Sequence, residues 1–157
     1  PETMVVVVGK VHHDAFLRLA NTFGVEDHVL CVGPVPPSEV PDYLAAGQVE
    51  THDLQGFGLG TASLEAMAAG TPIVAAVRMD NFRGIELRNG ENIVLVSEGR
   101  PAELCGAISQ ILSDPAGAQL IAKEQVDLAE RCFSIEAVTQ AHLDTFERLV
   151  DQRRSAR

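Results

Sequence analysis

A chain of 157 residues has the length of a single domain, and its composition, 46% hydrophobic and 22% charged, is that of an ordinary globular protein. The formal net charge of −10 argues against a nucleic-acid partner, which would need a basic surface. The longest apolar run, Met4–Val8, is far shorter than the roughly 20 residues of a membrane-spanning helix, and Pro1–Thr3 lacks the positive charge of a signal peptide.

Short apolar runs alternate with helical patterns along the whole chain. In chain order they predict a strand at Met4–Val8, a helix at His13–Phe23, a strand at Val29–Val32, a short helix from Pro36 to Ala45, a weak strand at Gln48–His52, a helix at Thr61–Ala69, a strand at Thr71–Val77, turns over Arg78–Asn92, a strand at Ile93–Val96, and helices at Pro101–Leu112, Pro115–Arg131 and 134–150. Such alternation is typical of βαβ units around a parallel sheet. We therefore predict a Rossmann-like, doubly wound α/β domain over residues 1–150, followed by a polar tail at 151–157.

Local signals support several of these boundaries. Met4–Val8 is a continuous β-branched run, as in a strand buried on both faces. Ser38 is the expected N-cap of the short helix, and Asp114 is the expected N-cap of the helix that begins at Pro115. Gln48–His52 is the weak element, because its polar residues suit a doubly buried strand poorly.

The three cysteines are too far apart in sequence for a zinc pattern: Cys31, Cys105 and Cys132. We expect reduced thiols in a cytoplasmic protein, with Cys31 in the core as part of a strand. The chain begins directly before a strand-like run, which fits either a natural terminus or a piece of a longer protein.

Glycines follow three of the predicted strands: Gly9, Gly33, and the loop Gly56–Gly60 before the helix at Thr61. Ligands of open parallel sheets bind beyond the carboxyl ends of the strands, where glycine allows close backbone approach. The first N–H groups of a helix attract an anion, so the turn at Gly60–Ser63 is a candidate phosphate site.

Glu65 lies one turn inside that helix and could accept hydrogen bonds from two vicinal hydroxyls. A ligand with phosphates on one side and a ribose on the other, such as a nucleotide, would satisfy both groups. A tight turn with packing glycines, and a Glu65 that favours the helix dipole, fit the same residues equally well.

Seven segments in this order resemble the C-terminal, donor-binding domain of retaining glycosyltransferases with the two-domain GT-B architecture, the "group 1" family. They are Val7-Val8-Gly9, Val29–Val35, Val40–Leu44, Gly56–Leu59, Leu64–Val74, Gly84–Glu86 and Asn89–Asn92. The resemblance covers nearly the whole chain. It implies a donor domain that holds a UDP- or GDP-linked hexose for transfer to an acceptor with retention of configuration, with no metal and no cofactor.

The resemblance also implies roles for individual residues. The backbone of the glycine loop would contact the sugar and diphosphate, and Glu65 would bind the ribose. The residues at the ends of the strands would lie near the nucleobase. The donor-binding residues are then Gly56, Phe57, Gly58, Leu59, Gly60, Thr61, Glu65, Gly9, Gly33 and Val35.

Two departures affect catalysis more than fold. Gln55 stands where the family has its first motif glutamate, and it lies ten residues before Glu65 where the family spacing is eight, with Gly60 and Thr61 as the extra pair. The family's Arg and Lys that neutralise the leaving diphosphate, and its N-terminal acceptor domain, lie upstream of any residue present. We expect the isolated chain to be inactive, although the full-length protein would be an enzyme; its oligomeric state is open.

Three other functions are alternatives to this interpretation. A non-catalytic nucleotide-sugar-binding or interaction module fits Gln55, and a nucleotide-sugar 2-epimerase half shares the architecture without the required acidic and histidine residues. A receiver-like signalling domain needs aspartates at the ends of its early strands, where this chain has Val8-Gly9-Lys10.

The remaining polar candidates favour ordinary roles. His12-His13-Asp14 is a poor metal site because adjacent side chains point apart, and His52-Asp53 fits a polar loop better than a donor contact. The arginines of the loop after Val77 are expected to be solvated, and those near the C-terminus to lie in a frayed tail: Arg78, Arg83 and Arg88, then Arg153, Arg154 and Arg157.

Overall fold

The computed structural model describes residues 3–10, 14–51 and 58–155, with the backbone alone at residues 14 and 15. The chain forms two compact units, Pro1–Tyr43 and Leu44–Arg157. Each unit is described by itself, and the assignment of residues 1–150 to one domain stays a prediction.

The first unit is a βαβ arrangement. Strand β1 (Val5–Val8) is followed by helix α1 (Asp14–Thr22), a 3-10 turn at Glu26–His28 and strand β2 (Val29–Gly33). The two strands pair in parallel, with Val5 opposite Val29, and the register shifts between Val7 and Val8. Helix α2 (Val40–Ala46) begins at the end of this unit.

The expected burial of the first strand is wrong. Val5 and Val6 are 49% and 47% exposed, and Cys31, expected in the core, is also exposed. The reason is the small size of this unit: between its two strands lies the nine-residue α1, which is too little to cover both faces of a sheet.

The second unit holds the larger sheet and the long helices. Its elements are β3 (Glu50–Thr51), α3 (Thr61–Ala68), β4 (Ile73–Ala75), a 3-10 turn at Met79–Phe82, β5 (Val94–Leu95), α4 (Pro101–Ser113), α5 (Pro115–Phe133) and α6 (Ile135–Ser155). The strands pair in parallel in the order β3-β4-β5, so β4 is central. The weak strand predicted at Gln48–His52 therefore exists, as the two residues of β3.

The core of the second unit lies around the central strand and α3. Met67, Ile73, Val74 and Ile93 are completely buried, and α5 adds Leu128 to the same cluster. At about 0.8 kcal/mol per buried methylene, these side chains are the main contribution to stability here. They hold α3 firmly against β4.

Of the helix ends predicted from the sequence, one is confirmed and two are corrected. The Asp114 carboxylate accepts the Gly117 N–H at 3.0 Å, which confirms it as the N-cap of α5. Ser38 is not the N-cap of α2, because a turn closed by the Glu39 N–H on the Pro36 carbonyl (2.9 Å) delays the helix to Val40. The C-terminal residues are not frayed through 155, since α6 continues to Ser155.

None of the described helices has both the length and the apolar character that crossing a membrane requires.

Candidate functional site

The N-terminus of α3 presents backbone N–H groups that have no side-chain cap among the described residues. Gly60 precedes the helix in an extended conformation, with φ −71° and ψ 166°, and no side chain caps this end within the described residues. The first helical bond is from Leu64 N to Gly60 O at 3.1 Å, so the N–H groups of residues 61–63 precede the hydrogen-bonded turns. A helix end of this kind favours an anion.

Glu65 is exposed on the first turns of α3, whereas the next two residues, Ala66 and Met67, are completely buried. The buried pair fixes which side of the helix faces the core. Glu65 is therefore free to meet a ligand in solvent, close to the helix end that favours an anion.

Gly58 and Leu59 lead into this helix from the glycine loop. Gly58 has φ +150°, in the region that favours glycine, and a β-carbon there would lie 3.4 Å from the Phe82 Cζ atom. The Leu59 side chain packs against the core cluster, so its contribution to a ligand site would come from its backbone. The loop after β4 thus packs, through Phe82, against the residues that lead into α3.

That loop is held in shape by one buried amide. Asn92 is 2% exposed; its Oδ1 accepts the Arg88 N–H at 2.7 Å, and its Nδ2 donates to the Glu86 carbonyl at 2.8 Å. Leu87, also buried, anchors the same turn in the core. The segment from 84 to 92, which the sequence resemblance includes, is therefore a defined loop.

The charges on the outside of this loop neutralise each other. Arg88 Nε lies 2.5 Å from Glu91 Oε2, and its Nη1 lies 2.8 Å from Glu86 Oε2. The Glu91 hydrogen bond is the main cause that raises the pKa of Arg88 above its ordinary value. As predicted, Arg78, Arg83 and Arg88 are exposed.

The end of β5 has its own side-chain partners. The Asn89 Oδ1 accepts the Leu95 N–H at 2.8 Å, and the Glu103 Oε2 accepts the Ser97 N–H at 2.9 Å. The hydrogen bond from the Ser97 backbone lowers the pKa of the Glu103 carboxyl below its ordinary value. These bonds cover an edge that would otherwise present free N–H groups.

In the first unit, Gly9 and Gly33 lie together at the ends of the paired strands. Their φ angles are +121° and +84°, and Gly9 N donates to Gly33 O at 2.9 Å. Both backbone conformations therefore favour glycine. Val35 is half-buried in the same unit.

The rest of the predicted loop lies outside the described residues: Gln55, Gly56 and Phe57, with the neighbouring His52 and Asp53. The same holds for His12 and His13. Among residues 3–10, 14–51 and 58–155, no three potential ligands cluster in a way that could hold a metal ion.

Comparison with known proteins assigns the family. The sequence profile of the family Glycosyl transferases group 1 matches residues 2–114. The chain belongs to this family. The fold and the family predicted from the sequence motifs are both confirmed.

Curated relatives are identical to this group 1 chain at about a quarter to a third of the aligned residues. A D-inositol 3-phosphate glycosyltransferase of Rhodococcus opacus is 28% identical over 138 residues, which are 88% of this chain and 30% of the relative. One from Acidothermus cellulolyticus is 34% identical over 103 residues, 66% of this chain and 22% of the relative. The chain thus spans about 30% of the length of the relatives it matches.

Solved structures of GT-B glycosyltransferases share the fold. Anabaena Alr3699/HepE in complex with UDP superposes with a TM-score of 0.80 at 22% identity, covering 94% of this chain and 42% of that one. Sucrose-phosphate synthase from Thermosynechococcus elongatus gives 0.78 at 26% identity, covering 94% and 38%.

Phe82 and Gln125, a buried residue of α5, have no role predicted from the sequence, which places Asn92 only within the Asn89–Asn92 segment of the resemblance. The Asn89-Gly90 pair is a turn signal that points to the loop held by Asn92. Phe82 and Gln125 carry no local signal, because their contacts are distant in sequence.

Proposed function

We propose that this chain is the nucleotide-sugar donor-binding domain of a retaining glycosyltransferase that transfers a hexose-type sugar from a UDP- or GDP-sugar to an acceptor. The observation that carries the proposal is the uncapped N-terminus of α3 with the exposed Glu65 beside it, in a chain of the group 1 family. Alr3699/HepE, which has this fold, has been solved with UDP and with UDP-glucose.

The proposed contacts follow the chemistry of the donor. The N–H groups at Gly60 and Thr61 face the diphosphate, and the backbone of Gly56–Leu59 contacts the sugar. Glu65 accepts hydrogen bonds from the ribose hydroxyls, and a carboxylate forms roughly twice as strong a bond as a neutral acceptor. The sequence resemblance also assigns Gly9, Gly33 and Val35 to donor binding, and that assignment stays a prediction.

The chemistry needs no metal in this proposal. The α3 dipole and cations from the rest of the protein stabilise the leaving diphosphate, as preorganised charge does in other transferases. The acceptor site lies in the part of the longer protein that this chain does not span. Without those cations and that cleft, the isolated chain binds donor and does not transfer sugar.

A second candidate function is a binding module without catalysis. Gln55 favours it, because an amide cannot stabilise developing positive charge as the family's glutamate could. Turnover by the full-length protein with UDP-glucose distinguishes the two functions: transfer supports the enzyme, and tight binding without transfer supports the module.

Calorimetric titration tests the proposal on this chain. UDP, GDP and ADP are titrated into the wild type, into Glu65→Ala and into Glu130→Ala, a matched change at an exposed position of α5. We expect binding of UDP or GDP that Glu65→Ala weakens and Glu130→Ala leaves unchanged. No binding of any nucleotide, or equal affinity in all three proteins, contradicts the proposal.

A further inference from the structure

Gln125 is a completely buried polar side chain in the middle of α5. The other buried residues of this helix are Ala122, Leu128 and Ala129, which belong to the apolar face against the sheet and α3. A buried amide is destabilising unless its hydrogen bonds are made inside the protein. The hydrogen-bond partners of the Gln125 amide therefore indicate its role.

The groups around the amide determine its orientation. Its amide faces the Thr71 carbonyl and the Ile73 N–H, and we assign the orientation that satisfies both: Nε2 then donates to the carbonyl at 3.2 Å and Oε1 accepts the N–H at 3.3 Å. Thr71 lies in the short connection between α3 and β4, and Ile73 is the first residue of β4. One side chain of α5 thus spans the backbone on the two sides of Pro72.

This connection is fixed at its other polar groups as well. Gly70, with φ +75°, ends α3 in a Schellman motif, in which Gly70 N donates to Met67 O and Thr71 N to Ala66 O. The Thr71 hydroxyl donates to the Leu44 carbonyl at 2.6 Å, and Pro72 O accepts the Glu50 N–H at 2.8 Å. Gln125 supplies the remaining two bonds.

A rigid connection at the C-terminal end of α3 determines the direction in which its N-terminal end points. The helix has eight residues, about 12 Å of length, and its buried Ala66 and Met67 make it move as one body. A tilt at Thr71 therefore displaces both Glu65 and the N–H groups that follow Gly60.

We infer that Gln125 is a positioning residue for nucleotide binding: by fixing the α3–β4 connection, it holds α3 in the orientation in which its N-terminus and Glu65 meet the ligand. The inference rests on the proposed function, since it assumes that α3 carries the site. Gln125 touches no ligand itself.

The Gln125→Glu variant tests the inference through pH. A protonated carboxyl has one donor and one acceptor and reproduces both bonds, whereas an ionised carboxylate cannot donate to the Thr71 carbonyl. Burial raises the pKa of such a carboxyl, so that it titrates within an accessible range. We expect UDP affinity within about twofold of wild type at pH 5 and weakened about tenfold at pH 8.

Gln119→Glu, at an exposed position of the same helix, is the matched control. Each variant is compared with the wild type at the same pH, so that any pH dependence common to the three proteins cancels. A role limited to stability would lower the melting temperature of Gln125→Glu and leave the dissociation constant of the folded protein unchanged. Wild-type affinity at pH 8 in a folded Gln125→Glu protein overturns the inference.

Two further measurements cover the remaining outcomes. If Gln125→Glu unfolds at pH 8, Gln125→Met at pH 7 provides a neutral side chain of similar volume, and wild-type UDP affinity there overturns the inference. If the wild type binds no nucleotide, the proposed function fails separately. In that case the inference is tested by the amide chemical shifts of α3, each compared with the wild type. Larger changes in the Gln125 variants than in Gln119→Glu support the positioning of α3 by Gln125, and unchanged shifts overturn it.

Discussion

The Phe82 ring lies against Gly58, with its Cζ atom 3.4 Å from the place where a β-carbon would stand. This contact joins the loop after β4 to the glycine loop before α3. A β-carbon would be at ordinary van der Waals distance from the ring, so it is the backbone conformation of Gly58, with φ +150°, that favours glycine.

Gly58→Ala should therefore destabilise the fold by about 1–2 kcal/mol and weaken UDP binding, because alanine is strained in the backbone conformation that Gly58 adopts. Gly106→Ala is the control: this helical glycine of α4 has no atom near its would-be β-carbon, and the change should stabilise by about 0.5–1 kcal/mol. Urea unfolding and UDP titration measure both effects. Equal stability of the two variants would contradict the explanation.

Asn92→Ala should open the loop at residues 84–92. The change removes the acceptor for Arg88 N and the donor for Glu86 O in a buried place, which costs about 2–3 kcal/mol. Asn21→Ala, at an exposed position of α1, is expected to change stability by less than about 0.5 kcal/mol. Chemical denaturation of both variants measures the difference, and a mild effect at Asn92 would show that the loop does not depend on it.

Asp114→Ala should cost about 1 kcal/mol through loss of the N-cap of α5, since the Gly117 N–H loses its partner at 3.0 Å. Asp127→Ala, an exposed change within the same helix, tests for a general effect of lost charge. Thermal unfolding of both proteins is the measurement. Similar melting temperatures for the two variants would argue against the cap.

The Glu103 carboxylate, which accepts the Ser97 N–H, should make stability depend on pH. Its folded pKa is lowered below the ordinary 4.5, so its contribution is present above the unfolded pKa and lost as pH falls through the folded one. The difference in unfolding free energy between wild type and Glu103→Gln should be constant above about pH 5.5 and shrink below about pH 4. Glu124→Gln is the exposed control, and an equal pH dependence in both variants would contradict the assignment.

The fold could be predicted from the sequence because the sequence signals for its helices and strands are local. Alternating apolar runs and helical periods predict βαβ units, and Asp114-Pro115 predicts the start of α5. Burial in the first unit was not readable, because the exposure of Val5 and Cys31 depends on what covers the sheet. Strand length follows from pairing partners, so the ends of β4 and β5 were overestimated.

The candidate site was readable in part. The glycines and Glu65 stand in a motif whose order the family shares, and the positions of Gly9 and Gly33 at strand ends follow from the strand-then-glycine pattern. The contacts of Gly58 with Phe82, and of Gln125 with Thr71, join residues distant in the chain. A single sequence contains no signal for such pairs.

The most direct test of the central claim asks whether Glu65 binds the ribose of a nucleotide. UDP and 2′,3′-dideoxy-UDP are titrated calorimetrically into the wild type and Glu65→Ala. Loss of hydrogen bonds to a carboxylate should raise the dissociation constant for UDP about tenfold in the variant, or about 1.4 kcal/mol. The dideoxy nucleotide, which has no ribose hydroxyls, should bind both proteins equally. The same affinity of both proteins for UDP, or an equal loss with the dideoxy nucleotide, would contradict the account.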